Sequence, residues 1–293
     1  MRGRAGEGGL KKSSFCLLLP PPALRATSPA GGGGRDSAWP LLERFLLHRL
    51  AEVDAEVRRA YGAYEFRDAL TVLVEFCVND LSAFYVDVRK DSLYCDRPDA
   101  LPRRACRTAL DLTFERLTAW LAPILPFTTE EAWGMRFSDA GSVHLRAFPE
   151  TPAAWLDADV AARMDKLRRI RRAVTGALEV ERREKRIGSS LEADPVIYLG
   201  DPELLAAADG ADLAELCITS GARVAEGEGP PAAFRLAEAP GVAVVVERAQ
   251  GRKCARSWKI SPHVGQDPRY PDLSPRDADA VAFWDAAHGA DAR

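Results

Sequence analysis

Between Leu42 and Val57 the apolar residues Leu42, Leu46, Leu50, Val53 and Val57 return every third or fourth position, which lines one face of an α-helix. Asp36 or Ser37 offers an N-cap, and Pro40 falls in the predicted first turn. The same rhythm predicts a second helix through Phe66, Leu70, Leu73, Cys77, Leu81, Phe84 and Val88, and a third through Cys106, Leu110, Phe114, Leu117 and Leu121. "APILPF" then interrupts with two prolines, and Thr128 with Glu131 reads as a capping-box pair opening a short helix around Trp133. After a proline-bearing connector, Val160, Met164, Leu167, Ile170, Val174 and Leu178 make the buried stripe of a long helix from Ala158 to Arg186, which "IGSS" ends.

Beyond Leu191 the pattern changes. "PVIYL" and "GVAVVVER" read as strands, with "DPELLAAA" and "ADLAELC" as short helices between them. The expected fold is therefore mainly α: a helical bundle over residues 36–150, a junction with the long helix over 151–190, and a small α+β module over 191–293. Residues 1–35 hold basic residues, a brief apolar run, a run of three prolines and a run of four glycines. "KK", "FCLLL" and "SPA" imitate the three regions of a signal peptide, but the prolines break the apolar run early, so a disordered or artefactual leader is the expectation.

With 293 residues and 47% apolar content, the chain can bury a real core. Its net charge is only -3, so any surface for nucleic acid must be a local patch. Six cysteines, at 16, 77, 95, 106, 217 and 254, lack paired spacing and suit a reducing, cytoplasmic setting. The runs "FCLLL" and "VAVVV" fall far short of the roughly 20 residues of a spanning helix, so no membrane partner is expected.

The long helix gathers the charge. Arg163 to Arg186 holds ten basic residues against four acidic ones, a local +6, which suits phosphate neutralisation with a steep salt dependence. The competing reading is a solvated face with pairs such as Glu179 to Arg183 and Glu181 to Lys185. Asn79 and Asp80 read as buried polar groups that fix helix contacts, Phe84 as core, and Tyr85 and Tyr94 as candidate stacking rings. The four histidines are widely spaced, and neither a nucleophile elbow nor a phosphate-cradling glycine loop is present, so no catalytic residue is assigned.

Near the end, "KCARSW" and "DLSPRDADAV" place Cys254 with Ser257, and Ser274 with Asp277, at the ends of two C-x-x-C spacings from which three thiols are missing.

Three segments, "NDLSAFYVDVRKDSLYC", "LAPILPFTTEEAW" and "EKRIGSSLEA", in this order and at these separations, resemble the C-terminal third of bacterial-type isoleucyl-tRNA synthetase. "PLLERFLLHRL" is similar to that family's entry into its helical bundle, and the likeness runs from Trp39 to Trp284. The resemblance implies a helical anticodon-binding bundle, a junction and a C-terminal module that in many members ends in a four-cysteine zinc site. Cys254, Ser257, Ser274 and Asp277 match those four ligand positions, as a degenerate set. A serine hydroxyl stays protonated and ligates zinc poorly, so no metal is expected, and Trp258, Tyr270 and Pro271 are expected to replace ligation with packing.

The family's nucleotide-binding domain, with its H-x-G-H and K-M-S-K-S signatures, has no counterpart in these residues, and "KISPH" is a superficial echo. ATP and magnesium thus go with the parent reaction, the joining of isoleucine to its tRNA, and no cofactor is assigned to this chain. A gene fragment, a shifted frame or one piece of a split enzyme would each explain the sequence. The expected partner is isoleucine tRNA, contacted by Arg89 and Lys90, by Lys166, Arg168, Arg169, Arg171, Arg172, Arg182, Arg183, Lys185 and Arg186 on the long helix, and by Arg252, Lys253, Arg256 and Lys259 at the end. A subunit completing a ligase with a separate catalytic chain would instead show an apolar patch near Trp39, Phe45 and Leu46. A helical interaction module without an RNA role is the third reading.

Overall fold

The structure, a computed structural model, describes residues 39–289; the leader and the cap candidates Asp36 and Ser37 lie outside them. Helix α1 (Leu41–Gly62) starts directly after Pro40, and its predicted stripe is buried, with Leu50 and Val57 fully enclosed. Helix α2 (Phe66–Glu75) continues without a break through a π-helical stretch, Phe76–Val86, into α3 (Asp87–Cys95). The π stretch moves the buried face. Phe76 and Asp80 point inward while Cys77 and Leu81, expected there from an α rhythm, are only half-buried. A wider turn advances the chain by more than 3.6 residues, so a period counted along the sequence slips by one position.

This 30-residue run, Phe66–Cys95, is long and apolar enough by length and composition to cross a membrane, which the count of consecutive apolar residues passed over. Here it is the second rod of a bundle, and it carries buried Asp80 and Arg89 in ion pairs.

Helix α4 (Leu101–Leu121) begins with Pro102 in its first turn and encloses Trp120. Helix α5 (Pro126–Arg136) opens on Pro126, with Leu125 at the cap position and no side-chain cap. Thr128 therefore lies inside the first turn, because the fixed φ of Pro126 starts the helix three residues early. Trp133 is buried and donates from Nε1 to the Gly141 carbonyl at 2.9 Å.

Helix α6 (Ala158–Arg183) is capped by Asp157, whose Oδ1 accepts from the Val160 amide at 3.1 Å. Its stripe of Val160, Met164, Leu167, Ile170, Val174 and Leu178 is buried throughout. The helix stops at Arg183, three residues before the expected end, and Lys185 takes a left-handed φ of 58°.

The second part is built on a mixed sheet in the order β2-β1-β4-β3. Strand β1 (Val196–Leu199) pairs parallel with β2 (Arg223–Glu226) and antiparallel with β4 (Val242–Val245), which in turn pairs with β3 (Phe234–Arg235). Helices α7 (Pro202–Ala208) and α8 (Leu213–Cys217) connect the first two strands. Helix α6 packs on α1 with one part of its surface and on α7, α8, β3 and β4 with the rest, so one apolar core runs unbroken from α1 to β4. At Gly176 an added Cβ would lie 3.0 Å from the Phe234 ring, and glycine there lets β3 approach the helix. A hairpin of β5 (Arg252–Lys253) and β6 (Ile260–Ser261), followed by α9 (Pro275–His288), completes the chain.

Candidate nucleic-acid interface

Most of the cations that the sequence offers are already engaged within the molecule. Arg89 is 3% exposed, and its guanidinium donates to both oxygens of fully buried Glu43, at 2.7 Å each, and to Glu215 Oε1 at 2.5 Å. Tyr85, expected as a stacking ring, is buried and donates to the same Glu43 at 2.9 Å. Glu43 sits on α1, Arg89 on α3 and Glu215 on α8, so this polar knot ties the bundle to the α+β module. Burial pushes the Glu215 carboxyl up against the pull of Arg89. A phosphate cannot reach Arg89, which corrects its expected role.

The basic helix behaves similarly along its first four turns. Lys166 pairs with Glu203 at 2.7 Å, Arg168 with Asp80 at 3.1 Å and Arg169 with Asp201 at 3.0 Å. Arg171 donates to the Leu216 carbonyl at 2.7 Å and lies over the Phe84 ring. These four side chains hold α6 to its neighbours. Asp80 also accepts from Arg49 at 3.1 Å, so it fixes three elements, and Asn79 is exposed. The bonds are interhelical rather than the expected i,i+4 pairs, because the acidic partners come from α7 and from the π stretch.

Arg172, Arg183 and Lys185 are exposed, and none has an ion pair among the described residues. Arg172 and Arg183 stand eleven residues apart on α6, close to three full turns, and so share one face. Arg182 pairs with Glu179 at 3.0 Å, and Arg186 binds Glu181 and Glu184. Lys90 is exposed and pairs with Asp87 at 2.9 Å.

The hairpin forms a second cationic site. Gly251 precedes it at φ 114°, where a Cβ would lie 2.3 Å from the Ser261 carbonyl carbon, so the chain crosses itself tightly there. Trp258, at φ 62°, is 61% exposed, and Lys253 Nζ stands 5.3 Å from the centre of its ring. It does not pack inward as expected, and Pro271 is also exposed. A left-handed tryptophan costs backbone energy, and here that strain presents an indole to solvent beside an ammonium. Arg252 pairs with Asp272 at 3.1 Å and stays exposed. Arg256 donates to the Tyr94 and Cys95 carbonyls at 2.7 Å each, and Lys259 pairs with Asp91 at 3.1 Å. These bonds seat the hairpin on the C-terminal end of α3, where the Tyr94 ring is 70% exposed. Arg276 reinforces the joint by binding Asp91 at 2.5 Å, and Arg97 by binding Asp279 at 3.3 Å. Burial disfavours the Asp91 carboxylate, but Arg276 and Lys259 outweigh it and hold the group at about 2.

The four degenerate ligand positions meet at the base of this hairpin. Asp277 is fully buried, and its Oδ2 accepts from Ser274 Oγ at 2.6 Å, Ser257 Oγ at 2.7 Å and Cys254 Sγ at 3.1 Å. The set does not fit zinc, which takes thiolates or imidazoles at about 2.0–2.3 Å. Among the described residues no group of three or more His, Cys, Asp or Glu could hold a metal ion. Sequence reasoning missed a second signal in "SPRD": Ser-x-x-Asp is a capping box, and Ser274 caps α9 by accepting from the Asp277 amide at 3.3 Å.

The apolar patch expected at the start of the bundle is not formed, since Phe45 and Leu46 are core residues and Trp39 is half-buried. Exposed apolar side chains cluster by sequence elsewhere, at Tyr64 and Phe66 and at Phe127, Met135 and Leu145.

Fold and site together define a helical-bundle module whose α+β extension carries a cationic, aromatic-tipped hairpin. The chain belongs to the family described as the anticodon-binding domain of tRNA ligase, whose model matches residues 43–197. It is 58% identical over 251 residues to the isoleucine–tRNA ligase of Caulobacter vibrioides, covering 86% of this chain and 26% of that protein. The isoleucine–tRNA ligases of Agrobacterium fabrum and Bradyrhizobium diazoefficiens are each 54% identical, over 242 and 248 residues. The chain thus spans about a quarter of the length of the curated relatives it matches.

Proposed function

We propose that this chain binds the anticodon stem and loop of isoleucine tRNA as the tRNA-recognition portion of an isoleucine–tRNA ligase, acting in the cytoplasm. The observation that carries this reading furthest is Trp258, held exposed in a left-handed conformation beside Lys253. An exposed ring flanked by cations is what an unstacked base requires, since base–aromatic stacking tolerates any base while the cations take the phosphates. Tyr94 presents a second ring on the element where the hairpin is seated. Arg172 and Arg183 on α6 and Lys185 just beyond it neutralise phosphates along the stem, being exposed cations with no ion pair among the described residues.

The parent reaction, ATP-dependent attachment of isoleucine to its tRNA with magnesium, belongs on this reading to the whole ligase, and the chain alone binds without catalysing. The test is binding of the purified chain to isoleucine tRNA and to a non-cognate tRNA at low and moderate salt. The cognate tRNA should bind more tightly at both. Trp258→Ala should weaken it about tenfold or more, with an unchanged melting temperature, because one stacked base contributes roughly 1–3 kcal/mol. Equal binding to both tRNAs, unaffected by Trp258→Ala, would sink the proposal.

A further inference from the structure

The likeness that leads to the family also leads to a zinc site, and the residues at its four positions form something else. Cys254 and Ser257 come from the hairpin, and Ser274 and Asp277 from the start of α9. Three donors, Cys254 Sγ, Ser257 Oγ and Ser274 Oγ, converge on one acceptor, Asp277 Oδ2. The other oxygen, Oδ1, faces Arg276 at 3.4 Å and Arg256 at 3.8 Å. Every oxygen of this buried carboxylate is therefore met by a donor or a cation, which is what a buried charge needs to persist. The Cys254 sulfur also accepts from the Ser274 amide at 3.3 Å, closing the ring between the two segments.

We infer that the Asp277 carboxylate does the work of a structural metal in this module, cross-linking hairpin and helix by hydrogen bonds so that the module folds and stays closed without zinc. The substitution is concerted. A serine donates a hydrogen bond where a thiolate would donate an electron pair, so two serines suit a carboxylate at the hub and would leave a cation under-coordinated. Asp277 acts twice: its backbone amide donates to the capping hydroxyl of Ser274, and its carboxylate accepts from that hydroxyl and from the hairpin, so one residue helps start α9 and fastens it to the hairpin. Through Arg276 and Arg256 the hub reaches Asp91 and the carbonyls of Tyr94 and Cys95, so closure of the hairpin is also its attachment to the bundle.

The inference is tested on the full chain, expressed with zinc in the medium. Elemental analysis should find well under one metal ion per chain after gel filtration, and neither added zinc nor a strong chelator should move the melting temperature. Asp277→Asn, which keeps the shape and removes the charge, should lower it by about 5–10 °C, and Ser257→Ala by less, as single lost hydrogen bonds do in a chain of this size. The triple variant Ser257→Cys, Ser274→Cys, Asp277→Cys should bind one zinc per chain and become chelator-sensitive, since it restores four thiols to the converging positions. Stoichiometric zinc in the unaltered chain, with a melting temperature that falls on chelation, would overturn the inference. So would an Asp277→Asn variant that melts with the parent.

Discussion

The guanidinium of Arg89 grips both carboxylate oxygens of Glu43 inside the molecule, at 2.7 Å on each side, and extends its remaining nitrogen to Glu215. The sequence "VRKD" suggests a surface cation at a helix end, whereas the structure makes this arginine the bolt between bundle and α+β module. Removing one partner leaves the other charge buried and unpaired, so Arg89→Ala should destabilise the chain by about 3–5 kcal/mol. Urea denaturation checks this. A double variant, Glu43→Leu with Arg89→Met, should recover a good part of the loss, because the pair itself contributes little beyond satisfying its own desolvation.

Two arginines on α6 should separate RNA contact from fold. Arg172→Gln should lower the salt slope of tRNA binding by about 1 while leaving the melting temperature unchanged. Arg168→Gln should do the reverse, since its partner is the 7%-exposed Asp80, which would keep only Arg49. Parallel salt titrations and thermal melts of the two variants distinguish these outcomes.

Asp91 sets an acid limit. Its folded value of about 2 lies below the ordinary carboxylate value near 4, so its contribution is complete above the unfolded pKa and is lost as pH falls from about 5 towards 2. That lowering corresponds to about 2–3 kcal/mol. Denaturation midpoints measured between pH 3 and 7 should fall with acid in the parent and fall less in Asp91→Asn, which starts lower at neutral pH.

Burial pushes the Cys106 and Cys217 thiols up to about 12 and Cys95 to about 11. Cys77 is only half-buried. In a Cys16→Ser background, Cys77 should therefore react first with a thiol reagent on the native chain, and Cys106 and Cys217 only on unfolding, as mass spectrometry of the labelled peptides would show.

Helices α1 and α6 were legible because one buried stripe repeated over four or five turns, and β1 and β4 because short apolar runs were bounded by breakers. Helix α4 was legible as a helix but not in its facing: of its expected stripe only Cys106 is buried, while Leu110, Phe114, Leu117 and Leu121 are half-buried and Ala109, Thr113, Arg116 and Trp120 face the core. The α2 to α3 rod was legible as a helix but not in its facing, since a π stretch uses a different turn length and its residues carry no distinct composition. The cations were legible as a total and not as a map. Glu203, Asp201, Asp80 and Glu43, which bind Lys166, Arg169, Arg168 and Arg89, stand 32 to 88 positions away along the chain, and no local pattern couples them. The hub was half legible: the four positions follow from spacing, but their convergence on one oxygen depends on how α9 docks.

The hairpin and α9 are joined to the end of α3 and the residues after it largely through charged side chains: Arg276 and Lys259 on Asp91, Arg97 on Asp279, and Arg256 on two backbone carbonyls. Several of these groups are partly open to water, so dissolved ions loosen the joint as well as competing for phosphate. A salt titration of RNA binding would then report two processes at once, ion release from the nucleic acid and softening of the platform that aims Trp258. A slope steeper than the number of phosphate contacts allows would be the signature of that second process.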